Sequence, residues 1–399
     1  MMQVTTLKLT NFRGVHSLSL RFDSKLNVFY GVNGSGKSTV LDAMAIMLSW
    51  GVSRIRHAGT SGRPIQETDI TNGRSPAKIR MMINDGRQDI SWQLVKKRKG
   101  YKNDEEKSDF KQLNLFTAGI QEEISATSEK TNLPLFVYYP VNRAVIDIPL
   151  RIRAKHSFDL LAAYDDALTS GANFRTFFEW FREREDLENE NRKYIDTLIK
   201  PDDFVFPDPQ LETVRKALHL FLPEFSDFAV RRNPLRMEVM KNGKRLTVNQ
   251  LSDGEKCLIA LVGDLARRMA IANPVRNDPL QGDGIVLIDE IDLHLHPRWQ
   301  RMIVTKLMAV FSNCQFIIST HSPHILTHVQ HENLFFLKQT DEGIIAEKPN
   351  ESYGKNVDRI LEDLMGLPTT RPDQVAEDLH KVFLEIQSGK LNKARKLIE

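Results

Sequence analysis

Cysteine is scarce in this sequence. Only two cysteines occur in 399 residues, Cys257 in an apparent helix and Cys314 in an apparent strand. Neither has the close spacing of a metal-binding pair, and two cysteines cannot form the dense disulfide framework of a small secreted domain. This cysteine usage suits a reducing compartment.

Long apolar runs are also missing, although 41% of the residues are hydrophobic. No run reaches the roughly 20 residues that span a bilayer, and the first six residues lack the charged and apolar regions of a signal peptide. Charge of one sign is not in large excess, because 55 basic residues face 52 acidic ones. We therefore expect a globular cytoplasmic protein without a membrane segment, in which any nucleic-acid contact would need a local basic patch.

Residues 31–39, Gly-Val-Asn-Gly-Ser-Gly-Lys-Ser-Thr, have the glycine, lysine and hydroxyl spacing of a phosphate-binding loop. Apolar residues 26–30 predict a buried strand before it, and residues 39–48 have helical apolar spacing after it. In such a loop, backbone N–H groups face the phosphates, the lysine adds positive charge and the serine can bind Mg²⁺. The predicted nucleotide contacts are Asn33, Gly34, Ser35, Gly36, Lys37, Ser38 and Thr39, with Ser38 also on the metal.

Two further residues are open to more than one interpretation. Arg13, in a turn at residues 11–14, could reach the nucleotide phosphates, and a solvated turn residue explains it about as well. Gln66 lies in a polar stretch at 54–70 that is typical of a loop. It could act at the nucleotide site by orienting water or Mg²⁺, or it could be an ordinary surface glutamine.

A second candidate anion site precedes a helical pattern at residues 257–272. Residues 251–256 read Leu-Ser-Asp-Gly-Glu-Lys, which places Ser252 and several backbone N–H groups at a helix N-terminus. Ser252 and Glu255 also have the spacing of a capping box. Alone, the hexapeptide does not decide between helix capping and ligand binding.

Two apolar runs end in side chains that suit nucleotide chemistry. Residues 284–288 are followed by Asp289 and Glu290, as expected where a buried parallel strand delivers carboxylates to a sheet edge. Asp289 would hold Mg²⁺, and Glu290 would polarise the attacking water. A second apolar strand ends before His321, which can hydrogen-bond a γ-phosphate.

Taken in order, the loop at 31–38, the LSDGE signature at 251–255, the Asp-Glu strand at 285–290 and His321 resemble the ATP-binding cassette (ABC) fold of SMC/RecF-like ATPases. The resemblance implies an α/β fold with a mixed sheet, and ATP and Mg²⁺ as ligands. It also implies ATP hydrolysis by Lys37, Glu290 and His321. Two copies would sandwich two ATP molecules, with Ser252 and Gly254 of one copy capping the γ-phosphate held by Lys37 of the other.

These motifs divide the chain into four parts. We assign residues 1–97 to an N-terminal lobe of the ATPase core and residues 98–245 to an inserted loop and compact helical region. Residues 246–345 form the C-terminal lobe, and residues 346–399 form a helical tail. The helical pattern between 152 and 200 is too short for the long coiled-coil arm of a chromosome-maintenance ATPase.

A narrower resemblance rests on residues 158–168, on Trp180-Phe181, and on residues 293–297 and 352–357. These stretches are similar to compact bacterial ATPases that include PtuA of the Septu and retron-linked antiphage systems. The resemblance implies a partner HNH nuclease of the PtuB type and assembly beyond a dimer.

Three functions are consistent with these patterns. The chain could be an ATPase that senses or gates a partner nuclease, a nuclease itself, or a RecF/SMC-like ATPase of DNA repair or DNA binding. Residues 322–399 contain no DxD pair and no HNH constellation, so we expect no intrinsic nuclease activity. The near-even charge does not favour the third function. We therefore expect a defence ATPase that gates a nuclease.

Overall fold

The fold was taken from a computed structural model of the chain. The structure describes residues 1–100, 106–127, 130–141, 159–169, 174–197, 200–201 and 204–398. Phe158, the first residue of one stretch that resembles the PtuA-type ATPases, lies outside the described residues, as do parts of the helical pattern predicted between 152 and 200.

Thirteen strands and eleven α-helices are formed by the described residues. The strands are β1 Gln3–Phe12, β2 Val15–Arg21, β3 Leu26–Tyr30, β4 Ala77–Asn84, β5 Asp89–Lys96, β6 Leu135–Tyr139, β7 Phe225–Arg232, β8 Leu235–Lys241, β9 Lys244–Thr247, β10 Gly284–Ile288, β11 Cys314–Ser319, β12 Leu334–Thr340 and β13 Gly343–Glu347. The helices are α1 Lys37–Arg56, α2 Lys111–Ala126, α3 Phe174–Arg192, α4 Pro209–Phe221, α5 Asp253–Ala272, α6 Pro297–Gln300, α7 Ile303–Val310, α8 Pro323–Leu326, α9 Val357–Asp363, α10 Asp373–Gln387 and α11 Leu391–Ile398. Short 3₁₀ helices occur at Glu67–Asp69, Leu160–Tyr164, Val248–Gln250, Pro279–Gln281 and His331–Asn333.

A six-stranded mixed sheet forms the centre of the molecule, in the order β13-β12-β3-β11-β10-β6. β12 and β13 pair antiparallel, and the other neighbours are parallel. β3, β6 and β10 are buried at every residue, which explains their uninterrupted apolar sequences. Because β3, β10 and β11 are parallel, the segments that follow them meet at one edge of the sheet. The predicted α/β fold with a mixed sheet is confirmed.

β6 is an edge strand of this central sheet, although it lies within the range 98–245 that the sequence assigns to an insertion. Its register pairs Tyr139 with Ile288, the last residue of β10. The ladder continues for one more step, since the backbone N–H of Asp289 donates to the Tyr139 carbonyl at 2.8 Å. β6 therefore belongs to the structural core and supports a predicted site residue directly.

The second sheet is antiparallel, in the order β2-β1-β4-β5. Its strands alternate buried and less buried residues, as β4 does, which is the pattern of strands with one face in the core. α1 contacts this sheet and the central one, and most of its residues are buried. The helix that begins at Lys37 is thus held between two sheets.

The remaining elements form a helical region and a tail. α3, α4 and α5 pack together, and a third sheet in the order β7-β8-β9 packs against α3 and α4. α10 and α11 contact each other and expose apolar side chains such as Phe383 and Leu391. Within the described ranges, no helix has both the length and the apolarity needed to cross a membrane.

Candidate nucleotide site

The loop after β3 adopts a conformation that requires glycine at two positions. Gly31 has a φ of 146°, and a Cβ there would press against the Leu337 carbonyl oxygen. Gly36 caps α1 with a φ of 99°, and a Cβ there would overlap the Ile344 side chain. The loop is therefore packed closely against β12 and β13, with backbone conformations that L side chains rarely adopt.

Lys37 is enclosed by the loop that precedes it. Its side chain donates from Nζ to the carbonyls of Gly31 and Val32, at 3.0 Å each, and the residue is only 5% exposed. Burial lowers the pKa of Lys37, and the nearby carboxylates of Asp289 and Glu290 oppose that shift. A cation held in this way is available to negatively charged phosphates at the mouth of the loop.

A cavity of about 170 Å³ opens at this loop. Its lining consists of Asn33, Gly34, Gly36, Lys37, Ser38, Thr39, Glu290 and His321. Ser35, in the same loop, is fully buried, and its Oγ has no hydrogen-bond partner among the described residues. Cavities that enclose a whole small molecule usually measure about 300–1,000 Å³. The cavity therefore suits the phosphates of a nucleotide, and the rest of the nucleotide would lie outside it.

Ser319, at the end of β11, contacts both acidic residues that follow β10. Its hydroxyl donates to Oδ1 of Asp289 and accepts the backbone N–H of Glu290 at 2.8 Å. Asp289 is 2% exposed, and Glu290 has a φ of 46°. That left-handed backbone conformation is costly for a glutamate and is typical of functional positions. Asp289 is thus buried behind the cavity, while Glu290 lines it.

His321 is positioned through Asp292. The Asp292 carboxylate accepts from the Thr320 hydroxyl at 2.6 Å and from the His321 backbone N–H at 3.2 Å. Burial and the charge of Lys37 lower the pKa of His321, and nearby carboxylates oppose them only partly. The imidazole is consequently neutral at pH 7 and lies in the cavity as a hydrogen-bonding group. Sequence reasoning missed Ser319, Thr320 and Asp292, although all three lie beside predicted residues.

Arg13 and Gln66 are not among the residues that line the cavity. Arg13 donates from Nε to Asp69 at 2.9 Å and also pairs with Asp42 in α1, whose second oxygen accepts from Arg63 at 2.7 Å. Burial would lower the pKa of Arg13, but the two carboxylates raise it above its ordinary value. Gln66 is exposed and donates its backbone N–H to Asp69. Both residues thus connect to one ion-pair cluster beside α1.

Ser252 and Gly254 also lie outside the cavity lining. Ser252 is exposed and forms a capping box with Glu255: its Oγ accepts the Glu255 N–H at 3.4 Å, and its own N–H donates to the Glu255 carboxylate at 3.0 Å. A Cβ on Gly254 would lie 2.6 Å from the His294 carbonyl oxygen, so this close contact needs glycine. The capping interpretation is confirmed, and the γ-phosphate role of these residues stays a prediction.

A larger cavity of about 600 Å³ lies elsewhere, between α3, α4 and the third sheet. Its lining includes Glu188, Arg215 and Arg245 and none of the predicted nucleotide residues. Size alone would therefore select the wrong place, because the groups that suit phosphate chemistry converge on the smaller cavity.

Comparison with known families gives the same assignment. Residues 26–327 match the model of a family described as "AAA domain, putative AbiEii toxin, Type IV TA system". The chain belongs to this ATPase family. The match begins at β3 and ends after His321, so it includes the phosphate loop, the signature, the paired carboxylates and the histidine.

Relatives of the chain include a retron ATPase and a Septu protein. The chain is 32% identical to the retron Ec83 probable ATPase of Escherichia coli, over 93% of this chain and 78% of that protein. It is 25% identical to the Septu protein PtuA of Bacillus thuringiensis, over 94% of this chain and 87% of that protein. Among solved structures, the SMC head domain from Thermotoga maritima aligns with 87% of this chain and 99% of its own, at 13% identity and a TM-score of 0.48.

Proposed function

We propose that this protein is the ATP-hydrolysing subunit of a bacterial antiphage defence complex, in which its nucleotide state gates a partner nuclease. The observation that carries this proposal is the convergence of the phosphate loop, Glu290 and His321 on one cavity. A phosphate loop alone binds nucleotide. The added carboxylate and imidazole supply what hydrolysis needs beside the γ-phosphate.

Each residue of the cavity has a role in this proposal. Lys37 and the backbone N–H groups of residues 33–39 hold the phosphates, and the unpaired Ser35 hydroxyl can strengthen the loop once phosphate is bound. Ser38 and Asp289 would hold Mg²⁺, which neutralises phosphate charge when bound. Glu290 accepts a proton from the attacking water, and His321 donates a hydrogen bond to the γ-phosphate. Gln66 and Arg13 would contribute only if the loop carrying Gln66 or the ion pairs of Arg13 rearranged.

The site becomes complete when a second copy of the chain joins it. The cavity accommodates phosphates but leaves the remaining nucleotide uncovered, and Ser252 is exposed at the N-terminus of α5. A helix N-terminus with free N–H groups favours a bound anion. Two copies would therefore enclose two ATP molecules, each held by Lys37 of one copy and by Ser252 and Gly254 of the other.

The proposed partner is an HNH nuclease of the PtuB type, and further assembly of the ATPase beyond the dimer accompanies it. Similarity to retron and Septu ATPases supports a defence role. The test is co-purification with the product of the adjacent gene, followed by a nuclease assay with and without ATP. ATP-dependent cleavage by the complex, and none by the ATPase alone, is the expected result. DNA-stimulated ATP turnover without a nuclease partner would instead favour a RecF/SMC-like function.

The hydrolytic assignment makes a direct prediction for two substitutions. Glu290→Gln should lower kcat by about 10²–10⁴-fold, the usual contribution of a general base, while ATP binding is kept and a dimer accumulates. Lys37→Ala should lose ATP binding itself. Steady-state ATPase assays, binding of a fluorescent ATP analogue and light scattering measure the three quantities. Glu332→Gln, at an exposed surface glutamate, is the matched control and should behave as wild type; unchanged hydrolysis in Glu290→Gln would remove the assignment.

A further inference from the structure

The segment at residues 159–169 connects three elements of the nucleotide site. It contains the 3₁₀ helix Leu160–Tyr164, whose first N–H groups are capped by Asp159, since the Asp159 carboxylate accepts from the Ala162 N–H at 2.9 Å. Beyond this helix, the Ala167 carbonyl accepts the backbone N–H of Tyr138 at 2.7 Å. The segment therefore pairs with the outer edge of β6, and the proposed function gives it no role.

Arg268 of α5 also binds this segment. One terminal nitrogen of Arg268 donates to the carbonyls of Ala163 and Asp165, at 2.8 Å each. Its Nε donates to the Asp264 carboxylate at 2.7 Å. A single guanidinium thus ties the helix that begins at the signature motif to the segment at 159–169.

Tyr139 joins this contact to Asp289. Its hydroxyl donates to Oδ2 of Asp264 at 3.0 Å, and its backbone carbonyl accepts the N–H of Asp289 at 2.8 Å. Asp289 is the residue expected to hold Mg²⁺. The side chain of Tyr139 is therefore bonded to α5, and its backbone is bonded to Asp289.

Two arginines link α1 to the segment. Arg56, the last residue of α1, donates to the Leu161 carbonyl at 3.2 Å and to the Asp165 carboxylate at 2.5 Å. Arg63 donates to the Leu168 carbonyl at 3.0 Å and to Asp42 of α1 at 2.7 Å. The helices that follow the phosphate loop and the signature are thus fixed to one another through this short stretch.

The contacts of α5 with this segment include a buried cluster of charged side chains. Asp264, Arg267 and Arg268 are all buried, and the Asp264 carboxylate forms an ion pair with each of the two guanidiniums. Burial would raise the pKa of Asp264, and the two guanidiniums outweigh it and lower that pKa. Buried ion groups of this kind are often no more stabilising than apolar residues of the same size. Here these groups act through geometry, because the hydrogen bonds of Arg268 and Tyr139 define one orientation of α5.

We propose that Arg268 and Tyr139 are positioning residues for ATP hydrolysis: they set the angle of α5 so that Ser252 meets the γ-phosphate held by the other copy. This inference rests on the proposed shared site. Asp264 follows Ser252 by about 18 Å along the helix axis, at about 1.5 Å per residue. A tilt of roughly 5° at Asp264 moves the signature end by about 1.5 Å, and misplacement of about 1 Å can cost a hundredfold in rate.

The test compares two conservative variants with a control at a buried hydroxyl outside this network. Tyr139→Phe removes only the hydroxyl that meets Asp264, and Arg268→Lys keeps the charge but loses the planar fork. We expect kcat to fall about fivefold or more in the first and tenfold or more in the second, with KM for ATP within about twofold of wild type. In a Glu290→Gln background, both variants should weaken the ATP-dependent dimer while a single chain still binds a fluorescent ATP analogue.

Thr117→Val is the control, because its buried hydroxyl donates within α2 to the Leu113 carbonyl at 3.0 Å rather than to Asp264. It should lose similar thermal stability and keep kcat. Equal kcat in Tyr139→Phe and Thr117→Val would overturn the positioning role, as would a loss that appears only in KM. Absence of turnover in the wild-type protein, or of an ATP-dependent dimer in Glu290→Gln, would instead contradict the proposed function.

Discussion

Lys37 and His321 line the same cavity, and their charges are coupled. Burial and the positive charge of Lys37 both disfavour the imidazolium form, and together they outweigh the nearby carboxylates. The pKa of His321 therefore lies below 6.5, the ordinary value for histidine. The lowered pKa favours the neutral imidazole at pH 7, which can offer one N–H to a γ-phosphate.

This coupling predicts the titration of His321 in the nucleotide-free protein. Its midpoint, followed by NMR of ¹³C-labelled histidine and assigned by loss of the signal in His321→Gln, should lie below 6.5. Lys37→Ala removes the neighbouring positive charge, so the midpoint should rise in that variant. A midpoint at or above 6.5 in the wild-type protein, or one that does not move in Lys37→Ala, would contradict the coupling.

Residue positions were predictable where strand order alone determined them. Asp289 and His321 follow parallel strands, so the sheet edge at which they meet could be derived from the apolar runs. Arg13 shows the limit of that reasoning. Its position in a turn could be predicted, but its pairing with Asp42 and Asp69 depends on how α1 lies against the first strands, and local sequence does not encode that distance.

At the scale of elements, Ser252 caps α5, and the proposed shared site gives it a second task at the γ-phosphate. As the cap of α5, Ser252 accepts the Glu255 N–H, and aspartate can do the same because it is among the best N-cap residues. As a γ-phosphate contact, Ser252 must be uncharged. The two tasks therefore respond differently to one substitution.

Ser252→Asp should keep the thermal stability of the protein and weaken its ATP-dependent dimer. Like charges brought together at an interface cost about 2 kcal/mol or more, so the dimer should weaken at least about 30-fold. Thermal unfolding and light scattering with ATP in a Glu290→Gln background measure the two effects. Ser252→Ala is the comparison variant and should lose about 0.5–2 kcal/mol of stability with the cap. A normal dimer in Ser252→Asp would show that Ser252 is only a cap.

The strands of the third sheet are difficult to predict from the sequence. β7 contains an irregular register between Ser226 and Ala229, which breaks the alternation expected of a strand, and β9 has only four residues. A usable signal was nevertheless present at Asn242-Gly243. Both residues have positive φ between β8 and β9, as a two-residue hairpin turn requires. The core position of β6 was harder to recognise, because an apolar strand far from its neighbours in sequence does not reveal its sheet.

For the whole molecule, the shared site makes a prediction about mixtures of inactive variants. In a pair of Lys37→Ala and Ser252→Asp chains, one site has both defects, while the other combines an intact phosphate loop with an intact signature. Only mixed pairs contain a complete site, one of two, so ATPase activity should return in the mixture although each variant alone is inactive. Because both variants weaken the ATP-dependent dimer, the recovered rate should rise with total protein concentration and stay below about half of wild type.

The matched control mixes Lys37→Ala with Glu290→Gln. These residues line one cavity of the same chain, so each site of the mixed pair keeps one defect and no activity should return. The ATPase rate is measured at constant total protein while the ratio of the two variants is changed, and the first mixture should peak near equal amounts. Recovery in both mixtures would show that Lys37 and Glu290 of one chain do not act on the same nucleotide, and recovery in neither would contradict a site built from two copies. Only the sandwich arrangement separates the two mixtures, because only there does the signature act on the nucleotide of the other chain.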